Sequence, residues 1–184
     1  MVDLPKDNII ASVRYWLSQT VIGYNFCPFA RREFVKNTIE YTVSSSNSIE
    51  PVLYELVDEL KKLDEKSTIE TSLIILPQGF ESFDDYLDLV DYGNQLLERL
   101  EYSGTYQIAT FHPDYCFDGL DQDDPANYTN RTPYPMLHIL REASLDRALE
   151  NYDDPESIPD NNVKLAREKG VTEFKDILRQ SFKQ

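Results

Sequence analysis

The sequence is poor in basic residues. It contains 18 Lys and Arg residues against 33 Asp and Glu residues, which gives a formal net charge of -15. A protein with this field repels phosphate backbones and anionic membrane surfaces, so we expect neither nucleic-acid binding nor membrane binding. A local basic pocket inside an acidic protein is still compatible with this charge.

Cysteine and long apolar runs are also scarce. Two cysteines in 184 residues do not make a disulfide framework. No window has the apolar length that crosses a bilayer, and the N-terminal stretch MVDLPKDNIIASVRYW lacks the order of charges and apolar residues found in signal peptides. We therefore expect a cytoplasmic protein, and the length fits a single globular domain over residues 1–184.

Familiar cofactor and catalytic motifs are missing as well. The chain has no phosphate-binding G-x-x-x-x-G-K-[ST], no dinucleotide-binding G-x-G-x-x-G, and no G-x-S-x-G nucleophile turn. It has neither C-x-x-C nor H-E-x-x-H, and the acidic loop 118–124 lacks the ligand order of an EF-hand. The sequence thus names no cofactor and no reaction class.

Apolar periodicity predicts alternating helices and strands. Helices are predicted at residues 6–22, from 47 or 48 through 60, from 82 to about 100, 135–150, 160–169 and from a cap at Thr172 onward. Strands are predicted at residues 38–43, 72–76 and 106–111. This order indicates a small α/β domain with an about three-stranded, mainly parallel sheet and helices on both faces. An α+β sheet with one reversed strand is the alternative.

The scarcest chemical groups are concentrated in residues 111–142. This segment holds both histidines, one of the two cysteines and four of the ten prolines. It leaves the carboxyl end of the third predicted strand, where ligands bind in open α/β sheets. Residues 115–134 show no periodicity, and irregular loops of that length are uncommon in a compact domain unless they have a function. The segment is therefore predicted to contain a functional site.

The predicted anion site lies just before the fourth helix. Asn130, Arg131 and Thr132 would face the free N–H groups at that helix's start, an arrangement that suits a carboxylate or a phosphate. We therefore expect a small anionic metabolite as the partner. Arg131 could instead pin the loop to backbone carbonyls. Three further residues are candidates for the same ligand: Arg141, Asn25 and Arg31.

The predicted catalytic groups are the two histidines and their neighbours. His112 would act as general acid or base, with His138 and Glu142, four residues apart on the predicted helix, as a second proton-transfer or orienting pair. Cys27 lies near arginines that could lower its pKa and make it a nucleophile. The alternative for each is a structural role, and free cysteine is more often simply buried.

Three stretches, NFCPFA, FHPDYCF and NRTPYPMLHILRE, resemble an uncharacterised bacterial family, domain of unknown function 1415. The resemblance runs from the first helix to about Asn162, and IPDNN resembles an I-P-x-x-N element that brings in Asn161 or Asn162. Thr132 replaces a usual serine and Tyr24 a usual leucine. The matching positions are Asn25, Cys27, Pro28, His112, Pro113, Asn130, Arg131, Pro133, Tyr134, Pro135, His138, Arg141 and Glu142. The resemblance implies a bacterial, cytoplasmic, single-domain protein and supplies no activity.

Three functional hypotheses follow. The first is an enzyme that acts on a small anionic metabolite through histidine acid–base chemistry and an arginine anion clamp. The second is a non-catalytic module for a small ligand or a protein, with twelve tyrosines and an acidic surface to meet a basic or aromatic partner. The third is a metal-dependent hydrolase using His112, Asp114 and His138, although their spacing matches no established ligand pattern. Neither enzymatic activity nor oligomeric state follows from the sequence.

Overall fold

The structure is a computed structural model that describes residues 5–150 and 152–184. Residues 1–4, which begin the N-terminal stretch that lacks a signal-peptide pattern, lie outside the described residues. The helices of the described residues are α1 (Lys6–Trp16), α2 (Ala30–Lys36), α3 (Ile49–Glu65), α4 (Phe83–Arg99), α5 (Glu142–Leu149), α6 (Ile158–Lys169) and α7 (Val171–Ser181). The strands are β1 (Ile39–Val43), β2 (Thr71–Ile75), β3 (Tyr106–Phe111) and β4 (Met136–Arg141).

Most of the predicted elements are confirmed. α1 continues as a π-helical segment, Leu17–Val21, so the predicted helix at 6–22 is present with a change of winding near its end. The side chain of Ser82 accepts a hydrogen bond from the backbone N–H of Asp85 at 3.3 Å, which caps α4 at its predicted acidic first turn. The three predicted strands match β1, β2 and β3 within one residue at each end.

The sheet is four-stranded and mixed, with the order β1-β2-β4-β3. β1 pairs with β2 in parallel, whereas β4 lies antiparallel to both β2 and β3. The three predicted strands therefore run the same way, and the reversed strand is a fourth that enters between two of them. The α/β class is confirmed, but the prediction of about three strands in a mainly parallel sheet is wrong in detail.

The predicted helix at 135–150 is wrong over its first half. Met136–Arg141 is β4, and only Glu142–Leu149 is helical. Leu137 and Ile139 enter the core on one face of the sheet, while Met136 enters the core on the other. A strand that is covered on both faces shows no alternation of apolar and polar residues, so its pattern can be mistaken for that of a buried helix.

A hydrophobic core lies on each face of the sheet. α3 and α4 cover one face, with Leu56, Leu60 and Tyr86 fully buried. α1 and the π-helical segment cover the other through residues such as Val13 and Trp16. Because apolar burial is the main source of stability, these two layers fix where the strand ends and their loops lie.

The C-terminal helices form a smaller third cluster beside the long loop. Phe174 of α7 is buried against Phe26 and Tyr128, and its ring stacks on that of Tyr128 with centroids 5.4 Å apart. This packing holds α6 next to the 3₁₀ turn Pro125–Thr129 of the loop. No helix among the described residues is long and apolar enough to cross a membrane.

Candidate functional site

The helix start that motivated the anion site does not exist. Asn130, Arg131 and Thr132 lead into β4, so the backbone N–H groups that follow them belong to a strand and its approach. The expectation of an anion site at a helix N-terminus is therefore wrong in its geometry.

Arg131 is directed into its own loop. Its Nε donates to the carbonyl of Tyr115 at 2.9 Å, and its Nη2 donates to the backbone and side-chain oxygens of Gln122 at 2.8 and 3.0 Å. The guanidinium carbon lies 4.8 Å from the ring centre of Tyr128, and the residue is only 9% exposed. All these acceptors are neutral oxygens, so Arg131 braces the loop by bonding to it, as the alternative reading of this residue expected.

His112 has both ring nitrogens occupied. Nε2 lies 2.9 Å from the carbonyl oxygen of Phe80, to which it donates, and Nδ1 accepts from the backbone N–H of Asp114 at 3.0 Å. The imidazole is fully buried and lies against the rings of Phe83 and Tyr86. Burial lowers its pKa, so the ring is held neutral in one tautomer.

His138 lies in the middle of β4, on the sheet face that α1 covers. Its Nε2 is 2.7 Å from the hydroxyl oxygen of Thr71, and that hydroxyl donates to the carbonyl of Ile139. The imidazole therefore donates to the hydroxyl. Burial lowers the pKa of His138 to about 4, which keeps the ring neutral at physiological pH.

Glu142 and Arg141 lie at the far end of β4. Arg141 donates to the carbonyls of Leu63 and Ile69 and to the hydroxyl of Tyr106. A six-residue strand spans roughly 17 Å, so neither residue reaches the loop that contains Arg131. The predicted pairing of Glu142 with His138 on one helical face is wrong, because His138 belongs to a strand.

The remaining predicted ligand residues are dispersed. Thr132 is 1% exposed, and its hydroxyl has no hydrogen-bond partner among the described residues. Asn25 is exposed and adopts a left-handed backbone conformation with φ of 58°. Arg31 is also exposed, and its Nη2 lies 3.4 Å from the carbonyl of Ile22. No hydrogen bond among the described residues joins any two of these three side chains.

The metal hypothesis is not supported, because the described residues contain no suitable cluster of ligands. Across residues 5–150 and 152–184, no three His, Cys, Asp or Glu side chains are close enough together to hold a metal ion. His112 uses both of its nitrogens within the protein, and His138 lies on β4 beside Thr71.

A cavity of about 380 Å³ opens where the π-helical segment, the long loop and α6 meet. It lies at the carboxyl end of β3, the edge of the sheet at which the sequence predicted a site. Most of its wall is apolar, contributed by Val21, Phe26, Phe111, Phe117, Leu120, Pro159 and Val163. Four polar residues complete the lining: Cys27, Thr129, Asn130 and Asn162. None of the lining residues carries a charged side chain.

Cys27 is the candidate nucleophile that does reach the cavity. Burial raises the pKa of its thiol above the usual value, while hydrogen bonds from the backbone N–H groups of Phe29 and Ala30 partly oppose that rise. The side chain is therefore a neutral thiol near pH 7. The two neighbouring arginines do not dominate its titration, contrary to the expectation of a lowered pKa.

The two lining asparagines have fixed orientations. Asn130 donates from Nδ2 to the carbonyl of Thr110 at 3.0 Å, and its Oδ1 accepts from the hydroxyl of Thr129 at 2.9 Å. Asn162 donates from Nδ2 to the carbonyl of Phe26 at 2.7 Å. This second bond ties α6 to the turn that follows the π-helical segment.

The backbone beside the cavity is irregular. The π-helical segment ends at Val21, and four residues further on the left-handed Asn25 directs the chain into Phe26 and Cys27. Single-turn π-helical segments occur frequently at functional sites, and left-handed non-glycine residues cluster there as well. Both features adjoin the cavity rather than the histidines.

Sequence reasoning found some of the lining and missed the rest. Cys27 and Asn130 were predicted, and the IPDNN element drew attention to Asn162. The aromatic and aliphatic wall was missed, because its members come from four separate segments that only the tertiary fold brings together. Asn127 was missed as well: it is fully buried and shapes the loop by accepting from Phe117 and donating to Asp121.

The comparison with protein families supports the resemblance seen in the sequence. The family model described as "Protein of unknown function (DUF1415)" matches residues 8–176, which is most of the chain. No curated protein and no solved structure matches it. The match extends over most of α1, the whole sheet, the cavity lining and about half of α7, and on this basis the chain belongs to the DUF1415 family.

Proposed function

We propose that this protein binds a small, neutral, largely apolar molecule in the cavity between the π-helical segment, the long loop and α6. The observation that carries this proposal is the composition of the wall, which combines three phenylalanines and four aliphatic residues with four uncharged polar ones. At about 380 Å³ the cavity is at the lower end of the range of roughly 300–1,000 Å³ for small-molecule sites. A ligand of one or two rings fits that volume.

The neutrality of the ligand follows from the lining. A carboxylate or phosphate enclosed among these side chains would lose its hydration and find no cation to replace it, which is strongly unfavourable. The Cys27 thiol adds no charge, because burial raises its pKa. An uncharged ligand instead gains about 25 cal/mol for each Å² of apolar surface that it buries.

A second candidate is the anion-binding enzyme expected from the sequence. One observation favours it: the Nη1 group of Arg131 makes none of that side chain's hydrogen bonds among the described residues. A phosphate or carboxylate could approach this edge of the guanidinium from outside the cavity. The two buried, neutral histidines do not support acid–base catalysis there.

A thermal-shift experiment with matched probes separates the two candidates. Benzyl alcohol and indole serve as neutral probes, and benzoate and phenyl phosphate as charged ones. We expect the neutral probes to raise the unfolding temperature. A probe at 100 times its Kd adds about 2.7 kcal/mol, or roughly 5–10 °C for a domain of this size.

Two variants locate the binding site. Val163→Trp fills the cavity and should abolish the shift from neutral probes. Val35→Trp makes the same change at a position that is 71% exposed and should leave the shift intact. If only the charged probes act, and act equally on the wild type and Val163→Trp, the cavity proposal is wrong and the anion candidate replaces it.

A further inference from the structure

The side-chain amide of Asn162 is held in one orientation. A carbonyl oxygen can only accept a hydrogen bond, so the amide nitrogen of Asn162 must be the group that faces the carbonyl of Phe26, 2.7 Å away. Its Oδ1 consequently faces elsewhere. Asn162 is half-buried and belongs to the cavity wall, and its Oδ1 receives no hydrogen bond from any described residue.

The other polar groups of the wall are already engaged. The amide of Asn130 uses its nitrogen on Thr110 and its oxygen on Thr129. The hydroxyl of Thr129 has a single hydrogen, which it donates either to Asn130 Oδ1 or to the carbonyl of Ala126, each 2.9 Å away. The thiol of Cys27 is a weak donor and a weak acceptor. Of the two amide oxygens in the wall, Asn130 Oδ1 has the Thr129 hydroxyl beside it, whereas Asn162 Oδ1 has no donor among the described residues and is open to a ligand.

We infer that Asn162 determines specificity, by selecting ligands that present an N–H or O–H donor at one end of an apolar body. This inference rests on the proposed binding function of the cavity. When a ligand without a donor covers this oxygen, the oxygen loses its hydrogen bond to water and gains nothing in exchange. A matching donor restores that bond, so the two kinds of ligand differ in affinity.

Indole and benzofuran make the test sharp, because they have nearly the same shape and differ in an N–H that is replaced by an oxygen. Benzofuran is the less hydrated of the two, so a cavity without an available acceptor prefers it. With Asn162 Oδ1 available, we expect indole to bind roughly tenfold more tightly by isothermal titration calorimetry, since one well-made hydrogen bond is worth about that factor.

Asn162→Leu removes the acceptor and keeps the side-chain size. It should erase the preference for indole, whereas Asn161→Leu, at the exposed neighbouring position, should leave it unchanged. A merely structural Asn162 would weaken both probes by the same factor and leave their ratio as it is. The ratio of the dissociation constants for indole and benzofuran therefore distinguishes a role in specificity from a structural role.

The outcomes separate this inference from the proposed function. If wild-type protein binds both probes but does not prefer indole, the inference is overturned and the cavity remains a binding site. If the preference survives in Asn162→Leu, the acceptor is another group and the inference is again overturned. If neither probe binds, the proposed function itself fails.

Discussion

The long loop and the cavity share residues and adjoin each other, yet they differ in how far their polar side chains are hydrogen-bonded within the protein. In the loop, Arg131 and His112 direct their nitrogens to carbonyls and N–H groups of the protein itself. In the cavity, Asn162 uses only its amide nitrogen within the protein. His112, with both ring nitrogens bonded, and Arg131, with its Nε and Nη2 bonded, are therefore part of the scaffold. A common residue with one hydrogen bond left to make is available to a ligand.

The largest expected effect concerns the loop. Arg131→Met should lower the free energy of unfolding by about 3 kcal/mol, because it removes the charge-assisted hydrogen bonds to the carbonyls of Tyr115 and Gln122, each worth roughly 1.5 kcal/mol or more. Arg31→Met, at an exposed position, should change it by less than about 0.5 kcal/mol. Urea denaturation measures both. An Arg131→Met protein of unchanged stability that no longer responds to phenyl phosphate would reverse the assignment and make Arg131 a ligand group.

The second effect is a pH dependence that originates in β4. The pKa of His138 is lowered to about 4 in the folded state, against 6.5 for an ordinary histidine, so the unfolded chain takes up its proton first as the pH falls. The stabilising contribution is complete above pH 6.5 and is lost progressively toward pH 4. Between pH 7 and 5 the free energy of unfolding should fall by roughly 2 kcal/mol on account of this group.

The control for this pH dependence is His138→Gln, which can still donate a hydrogen bond to Thr71 but does not titrate. Comparing it with the wild type between pH 5 and 7 avoids the range in which most carboxylates titrate. The weaker slope that remains should come from His112, whose pKa is lowered in the same direction. Identical slopes in the two proteins would mean that His138 is solvated enough to be protonated while the protein stays folded.

The smallest effect concerns the cavity wall. Asn162→Ala removes one half-buried hydrogen bond, to the carbonyl of Phe26, and should cost about 1 kcal/mol. Asn161→Ala, whose side chain is exposed and bonds only to Ser157 one helical turn away, should cost less than that. A loss at Asn162 as large as that at Arg131 would mean that the wall is scaffold too, and the contrast between the two regions would disappear.

The sequence predicted the amphipathic elements from their periodicity, and the fully buried β2 from its short, continuous apolar run. α1, α3 and α4 show helical periodicity because solvent lies on one side of each. β1 alternates because its Glu40 and Thr42 side chains meet polar side chains of α3 on one face of the sheet. β4 lacks that signal because both of its faces are covered, and its Leu137 and Leu140 spacing imitates a helix. The predicted anion site depended on a helix starting at residue 135. Because a strand lies there instead, the prediction of that site is wrong as well.

The sequence predicted the place of the candidate site better than it predicted the residues that line it. The carboxyl end of β3 was the predicted place, and the cavity is there, with Phe111 in its wall. Scarcity in the chain singled out the histidines, and the predicted helix start singled out Arg131. Scarcity says nothing about whether a nitrogen is already bonded to a carbonyl, and only coordinates reveal that Asn162 has an oxygen to spare while His112 has no free nitrogen.

The bond between Asn162 and Phe26 joins positions 136 residues apart in the chain. Contacts of such long range form late in folding, because the intervening chain must be ordered before they can close. During synthesis, α1 and the turn that follows it leave the ribosome long before α6 exists to complete the enclosure. Ligand capture would therefore report that a molecule has been made and folded through α6, and a fragment ending before that helix would fail to bind even with its sheet intact.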